Sequence, residues 1–409
     1  MAELARRRRI LAIDRTGLQR YLDGPSGVVF PRRDYEVHVI SVGGDLSRGA
    51  VAEVESSCTV ASLEAVPVAA RSVAKRVGVP DAVVAVPEEY LLLAAALREE
   101  LGVPGLTVGQ TLRFRDKLEM KSHLAGTGVR VPRCAPFTID DACLLLDQVP
   151  QVVIKPRGGG GSAGVHIVRS AAEVKLLAPR VGGPETTEVE EFVPGILHHI
   201  DSVVREGRVV AATVSRYLDP TTSFRDSSTV LRSVSLPDGP EADALLAANA
   251  AVIGSHPYLS GTTHLEAFLT PEGEVVFCEI AARVGGGGVG ASFHARTGVD
   301  LYTAHLRAQA GVLPPDRISV SDELTGSLLL YAGPGVMTRS PCLPDASWVL
   351  SPDVYLPADG VLGAPSDASQ AVVTLAVTGP TLPMVEARLQ EVIDEVRRTM
   401  VVVPADQGA

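Results

Sequence analysis

Hydrophobic and polar positions follow three patterns along the chain. Over residues 1–115 short apolar runs alternate with helical spacing, as an α/β unit requires. YEVHVISV (35–42) and AVVAV (82–86) are nearly continuous apolar runs and read as buried parallel strands. EEYLLLAAALREELG (88–102) predicts a helix closed by its last glycine. DKLEMKSHLAGTGV (116–129) predicts an amphipathic helix ending at Gly126 or Gly128. The second pattern pairs QVVIKP (151–156) with GVHIVRS (164–170) as a hairpin around a glycine loop. A short helix, AAEVKLLAPR (171–180), and a strand, TEVEEFVP (187–194), follow. From about residue 196 the third pattern is antiparallel. HHIDSVVREGRVVAATVSRYL places strands on either side of a Glu206–Gly207 turn, and 242–259 reads as a helix. THLEAFLTPEGEVVFCEIAARVGGGG (263–288) is a hairpin through Pro271–Gly273 that runs into a second glycine tract. SLLLYA, AVVTLAVTG and a final helix over 382–400 predict a small α+β tail.

Composition narrows the class. A chain of 409 residues, 46% hydrophobic and 21% charged, has ample core for two or three domains. A net charge of -11 disfavours a nucleic-acid partner, since phosphate contacts need clustered Lys and Arg. The basic run Arg6–Arg9 is followed by an apolar segment too short for a secretory signal, and no stretch approaches membrane-spanning length. The expectation is a basic tail on a solvated first strand. Five cysteines (58, 134, 143, 278, 342) contain no CxxC pair, which suggests reduced thiols in a cytoplasmic protein. Of 37 basic residues only five are lysines (75, 117, 121, 155, 175), so a lysine beside a glycine loop stands out.

That lysine is Lys155, in VVIKPRGGGGSAGV (152–165). It precedes the glycines, whereas a P-loop places its lysine after them at the start of a helix. Glycines let backbone N–H groups approach polyphosphate oxygens, and lysine supplies a compact charge. Taken alone, the stretch also fits a flexible hairpin tip. Glu266 and Glu279 occupy the two arms of one predicted hairpin, so pairing would bring both carboxylates together. Such a pair calls for a cation, and Mg²⁺ bound by carboxylates and phosphates suits it. Two strand glutamates with arginine partners are the alternative. Arg283 precedes the second glycine tract and could hold a carboxylate, phosphate or oxyanion, or form a surface ion pair. The histidines lack metal-ligand spacing such as HExxH and read as loop or substrate-pocket residues.

In this order the pieces resemble the ATP-grasp superfamily of carboxylate–amine ligases: Lys117 after Asp116, Lys155 before a glycine loop, EEFV at 190–193, then Glu266, Glu279 and Arg283. GVRVP (128–132) and TGVDL (297–301) fit the same pattern, and the tail is similar to that of L-amino-acid ligases. The resemblance covers roughly residues 80–310. It implies an α/β protein of ATP-grasp fold. Residues 1–115 would form a parallel α/β domain, 116–195 the ATP-binding lid and hinge, and 196–409 the metal-binding half with an α+β tail. It implies that Lys117 and Lys155 bind ATP phosphates under a lid containing Gly159, Gly160, Gly161 and Ser162. Glu190, with the backbone of Glu191 and Val193, would hold adenine. Glu266 and Glu279 would ligate Mg²⁺, with Arg283 and Lys155 catalytic. Arg283, Gly286, Gly287, His264 and Ser227 would face the substrate. Two departures stand out: Ala281 replaces the usual metal-binding Asn of E-x-N-x-R, and Ile196 and Leu197 follow the hinge Gly195 where a ribose-binding Glu is usual. The implied function is ADP-forming ligation of a small carboxylate, such as an amino acid, to an amine through an acyl-phosphate. Neither nucleic acid nor membrane is expected as a partner, and a homodimer is the common case. A carboxylase or formyl-type ligase of the same fold, or a nucleotide-binding regulator with little turnover, are the alternatives.

Overall fold

The computed structural model describes residues 6–15, 23–24, 27–43, 54–225, 230–357 and 359–404. Near the N-terminus β1 (Arg8–Asp14), β2 (Tyr35–Val42), β3 (Val54–Val60) and β4 (Ala82–Ala85) form a parallel sheet in the order β3-β2-β1-β4. The expectation of a solvated first strand is overturned. β1 lies between β2 and β4, and Ile10 to Asp14 are buried. Carboxylates hold the flanking arginines instead: Arg6 pairs with Asp81 at 2.5 Å and Arg9 with Glu36 at 3.2 Å. Helices α1 (Val66–Val77) and α2 (Leu91–Leu101) bury Val66, Ala70, Leu91, Ala94 and Leu97 against Leu11, Ile13 and Ile40. α2 ends where Gly102 takes a left-handed φ of 67° and donates to the carbonyls of Arg98 and Glu99.

Helix α3 (Lys117–His123) is shorter than its apolar spacing suggests. Asp116 caps it by accepting from the N–H groups of Leu118 and Glu119, and the chain then turns through Gly126 and Gly128, both at positive φ. An antiparallel sheet follows, built from β5 (Cys134–Pro136), β6 (Val152–Pro156), β7 (His166–Val168) and β8 (Thr187–Glu191) in the order β5-β8-β6-β7. Helices α4 (Ile139–Leu146) and α5 (Ala171–Leu177) cover one face, closing a core of Ala142, Val152, Ile154, Val174 and Val189.

The largest sheet has eight strands: β9 (Ile196–Arg205), β10 (Arg208–Tyr217), β11 (Val230–Ser235), β12 (Gly261–Leu269), β13 (Val275–Ala281), β14 (Leu324–Leu330), β15 (Val349–Val354) and β16 (Val373–Gly379). Their order is β13-β12-β9-β10-β11-β14-β16-β15, with every neighbouring pair antiparallel. The β9–β10 turn falls at Glu206 and Gly207, both at positive φ, and a Cβ on Gly207 would lie 2.6 Å from Pro257 Cα. Helices α6 (Pro240–Gly254), α7 (Val289–Thr297), α8 (Leu301–Gln309) and α9 (Leu382–Thr399) pack around it. α6 buries Leu245, Val252 and Ile253 against Ile200, Leu265 and Phe277. α9 buries Val385, Leu389, Val392 and Val396 against β14 and β16, a spacing that keeps one helical face apolar. Leu306 of α8 reaches the other face of the parallel sheet, packing with Ile10, Val37 and Val84. The sheet's register then sets the chemistry. His199 stands opposite Glu266 and Asp201 opposite His264 across β9–β12, and Glu266 stands opposite Glu279 across β12–β13.

Candidate active site

Cross-strand pairing delivers both glutamates to one place, as the hairpin pattern anticipates. Lys117, at the start of α3, lies with its Nζ 3.0 Å from Glu279 Oε2 and donates to the Gly159 carbonyl at 2.9 Å. Tyr217, at the end of β10, donates to Glu266 Oε1 at 2.8 Å. Both carboxylates keep part of their side chains in solvent, 15% for Glu266 and 24% for Glu279. Two hard oxygen donors facing a lysine and a glycine loop suit Mg²⁺ shared with phosphates, and Ala281 adds no ligand.

Arg283 donates through Nε to Glu88 Oε2 at 2.7 Å, and Arg115 pairs with the other oxygen of Glu88. Burial would raise the Glu88 carboxyl, but Arg283 and Arg115 hold it down at about 2. The glycine loop folds over this ion pair. A Cβ on Gly160 would sit 3.5 Å from Glu88 Oε2 and 3.9 Å from the Arg283 guanidinium. The carbonyl of Gly161 accepts from the Ala368 N–H at 3.0 Å, and Ser162, at a φ of 56°, donates to Thr221 at 2.8 Å. The loop is thus pinned at successive points, each by a group from a different segment.

Beneath the loop Lys155 is buried, with its Nζ 2.5 Å from Glu190 Oε1. Lys121 reaches Glu190 Oε2 at 2.5 Å and Glu188 Oε1 at 2.6 Å. Burial works against the charge of Glu190, yet Lys155 and Lys121 hold its carboxyl at about 2; burial dominates at Glu188 and raises it. Glu191 points elsewhere, to Arg130 at 2.9 Å and Arg133 at 2.6 Å. On the other side of the glutamate pair, Asp201 accepts from His199 Nδ1 at 2.6 Å and from His264 Nδ1 at 2.8 Å. Burial disfavours the His264 imidazolium, but Asp201 lifts its pKa to about 9. Ser233 lies 2.9 Å from His199 Nε2 and 2.7 Å from Ser327, extending the chain of hydrogen bonds into the core. The ligand atoms of His199, Asp201 and His264 all lie within 4.8 Å of one another, a cluster that spacing along the sequence conceals because it spans two strands. Hydrogen bonds to both carboxylate oxygens already account for its geometry.

No protein-family model matches the chain. A curated relative, the L-arginine-specific L-amino acid ligase of Bacillus subtilis, is 24% identical over 254 residues, which span 56% of this chain and 58% of that protein. The crystal structure of an L-amino acid ligase from Bacillus licheniformis superposes with a TM-score of 0.72 at 18% identity, covering 98% of this chain and 99% of that one. The chain has the ATP-grasp fold. Another solved structure that shares it is the biotin carboxylase domain of the Hydrogenobacter thermophilus 2-oxoglutarate carboxylase, in complex with MgADP, ADP and bicarbonate. Its TM-score is 0.72 at 14% identity, covering 97% of this chain and 90% of that one.

Within this ATP-grasp fold the structure brings together Lys117, Lys155, Glu190, Glu266, Glu279, Arg283, His264 and the glycine loop. Val193 is buried just beyond β8. The second glycine tract is a packing device as much as a loop. A Cβ at Gly285 would meet His264 Nδ1 at 2.8 Å and Asp201 at 2.9 Å, and one at Gly288 would meet the Leu375 carbonyl oxygen at 2.2 Å. Gly287, at a φ of 61°, lies against Leu329, whereas a Cβ at Gly286 would meet open space. Ser227 lies outside the described residues. Sequence reasoning missed Glu88, Arg115, Lys121, Glu188, Asp201 and Tyr217. Lys121 left a usable signal: it is one of five lysines and stands one helical turn after Lys117.

Proposed function

We propose that the protein is an ATP-dependent, ADP-forming ligase that joins the carboxylate of an amino acid or small acid to an amine. The observation that carries the reading is the Glu266–Glu279 pair facing Lys117, with Arg283 nearby under the folded glycine loop. A carboxylate oxygen attacks the γ-phosphorus of ATP and ADP leaves, giving an acyl-phosphate. The amine then attacks the acyl carbon, loses a proton and expels phosphate, which keeps the carboxylate oxygen. Lys117 and Lys155 hold phosphate oxygens, and Arg283 steadies the oxyanion of the tetrahedral intermediate. Glu266 and Glu279 would hold Mg²⁺, and the chemistry it would supply is neutralisation of phosphate charge. Glu190 and the backbone of Glu191 and Val193 hold adenine, and the glycine lid keeps water from the acyl-phosphate. His264, Gly286, Gly287 and Ser227 line the substrate side. In this reading residues 1–115 form the N-terminal domain, 116–195 the lid and hinge, and 196–409 the metal-binding half.

The curated relative favours amino acids as substrates. The equally similar fold of a structure holding bicarbonate makes carboxylation the second reading. One experiment separates them: ADP release from Mg²⁺-ATP across pairs of amino acids and with bicarbonate, with mass spectrometry of the products. Condensed amide in step with ADP is expected. ADP release that needs bicarbonate and no amino acid favours carboxylation, and no ATP cleavage under any condition contradicts both.

A further inference from the structure

Three of the five lysines, Lys117, Lys121 and Lys155, are buried, whereas Lys75 and Lys175 are exposed on helices. Two of the three have work in the proposed reaction. Lys121, on α3, reaches toward β8, and its ammonium bridges Glu188 at 2.6 Å and Glu190 at 2.5 Å. Lys155 shares the same two carboxylates, 2.5 Å from Glu190 and 3.7 Å from Glu188. β8 and β6 pair Glu188 directly with Lys155, and Glu188 and Glu190 share one face of β8. Two lysines and two glutamates therefore form a quartet of balanced charge, in which Glu188 Oε2 is left without a hydrogen bond. Each oxygen of Glu190 is committed to a different lysine.

This arrangement conflicts with a simple phosphate role for Lys155. An ammonium has three N–H donors, but the charge of one buried 2.5 Å from Glu190 Oε1 is largely neutralised there, so a phosphate must compete with Glu190 for it. A buried carboxylate left without its cation is strongly disfavoured. Lys121 removes the difficulty, because it keeps Glu190 paired whichever way Lys155 points. We infer that Lys121 is a positioning residue: it is the standing counter-ion of Glu188 and Glu190, and so makes Lys155 exchangeable between Glu190 and the phosphates of a bound nucleotide. The inference rests on the ATP-dependent reading. It adds that the two ends of the nucleotide are linked, since moving Lys155 to phosphate frees Glu190 Oε1, the oxygen that would then accept from the purine.

Binding of Mg²⁺-ADP to the full chain tests it by calorimetry, with steady-state kinetics alongside. In K121M/E188Q one charge of each sign is removed, so the quartet stays neutral, and a thermal melt checks that the variant is folded. Lys155 is then the sole counter-ion of Glu190, and Mg²⁺-ADP binding is expected to weaken about tenfold or more. The KM for ATP rises accordingly, while kcat at saturating ATP and the KM for the acceptor substrate change little. Adding E190Q frees Lys155 while the glutamine carbonyl still offers the purine an acceptor, so the triple variant regains most of the lost affinity despite carrying one more substitution. Equal affinity in wild type and K121M/E188Q, or a further loss in the triple variant, overturns the inference and leaves the ATP reading standing. A wild-type chain that binds no Mg²⁺-ADP overturns the ATP reading itself.

Discussion

Glu88 enters the site from the turn after β4, accepting from Arg283 with one oxygen and pairing with Arg115 through the other. The two guanidiniums hold its carboxyl, against burial, at about 2 rather than 4.5. A carboxyl held that low contributes on the order of 3 kcal/mol at neutral pH. Because the folded value is depressed, this contribution is fully present above about pH 4.5 and is lost as the pH falls toward 2. Glu88→Gln removes it. Urea unfolding should therefore show the largest gap between wild type and variant near pH 7, shrinking below pH 4.5; a gap constant down to pH 3 would contradict the assignment. The sequence marks Glu88 as the first residue of a helix and says nothing of Arg283, its partner 195 residues away. Lys155, Glu266, Glu279 and Arg283 were legible because each sits in a local pattern. Glu88, Lys121 and Asp201 owe their place to contacts between distant segments, which no spacing encodes.

At the scale of elements the apolar patterns located most strands and helices, because period and burial agree there. Two expectations yielded to packing or capping. β1 became a central strand because its apolar run pairs on both sides, despite the arginines before it. α3 stopped at His123, where left-handed glycines take over three residues later. The second glycine tract is the clearest case of an element whose role differs by position. Its glycines at 285 and 288 let the segment after β13 lie flat against Asp201, His264 and β16. Gly288→Ala places a methyl group 2.2 Å from the Leu375 carbonyl oxygen. It should destabilise the protein by about 1–3 kcal/mol, the usual range for overpacking a closed contact. A thermal melt of Gly286→Ala, where the Cβ meets open space, serves as the control and should match wild type. Equal melting of the two variants would show that the tract is not closely packed in solution.

On the scale of the whole molecule, the site is a junction. The turn after the parallel sheet contributes Glu88, α3 and the four-stranded antiparallel sheet contribute Lys117, Lys121 and Lys155, and the eight-stranded sheet contributes Tyr217, His264, Glu266 and Glu279. α8 fastens the last of these sheets to the first through Leu306. Among the described residues no helix is long and apolar enough to cross a membrane. We propose that this junction activates a carboxylate by phosphorylating it. The most direct measurement starts from an amino acid that supports ADP release, labelled with ¹⁸O in its carboxylate, and follows the label by mass spectrometry. One labelled oxygen is expected in the inorganic phosphate for each amide formed. Inorganic phosphate free of label, with ADP released and amide formed, would contradict it.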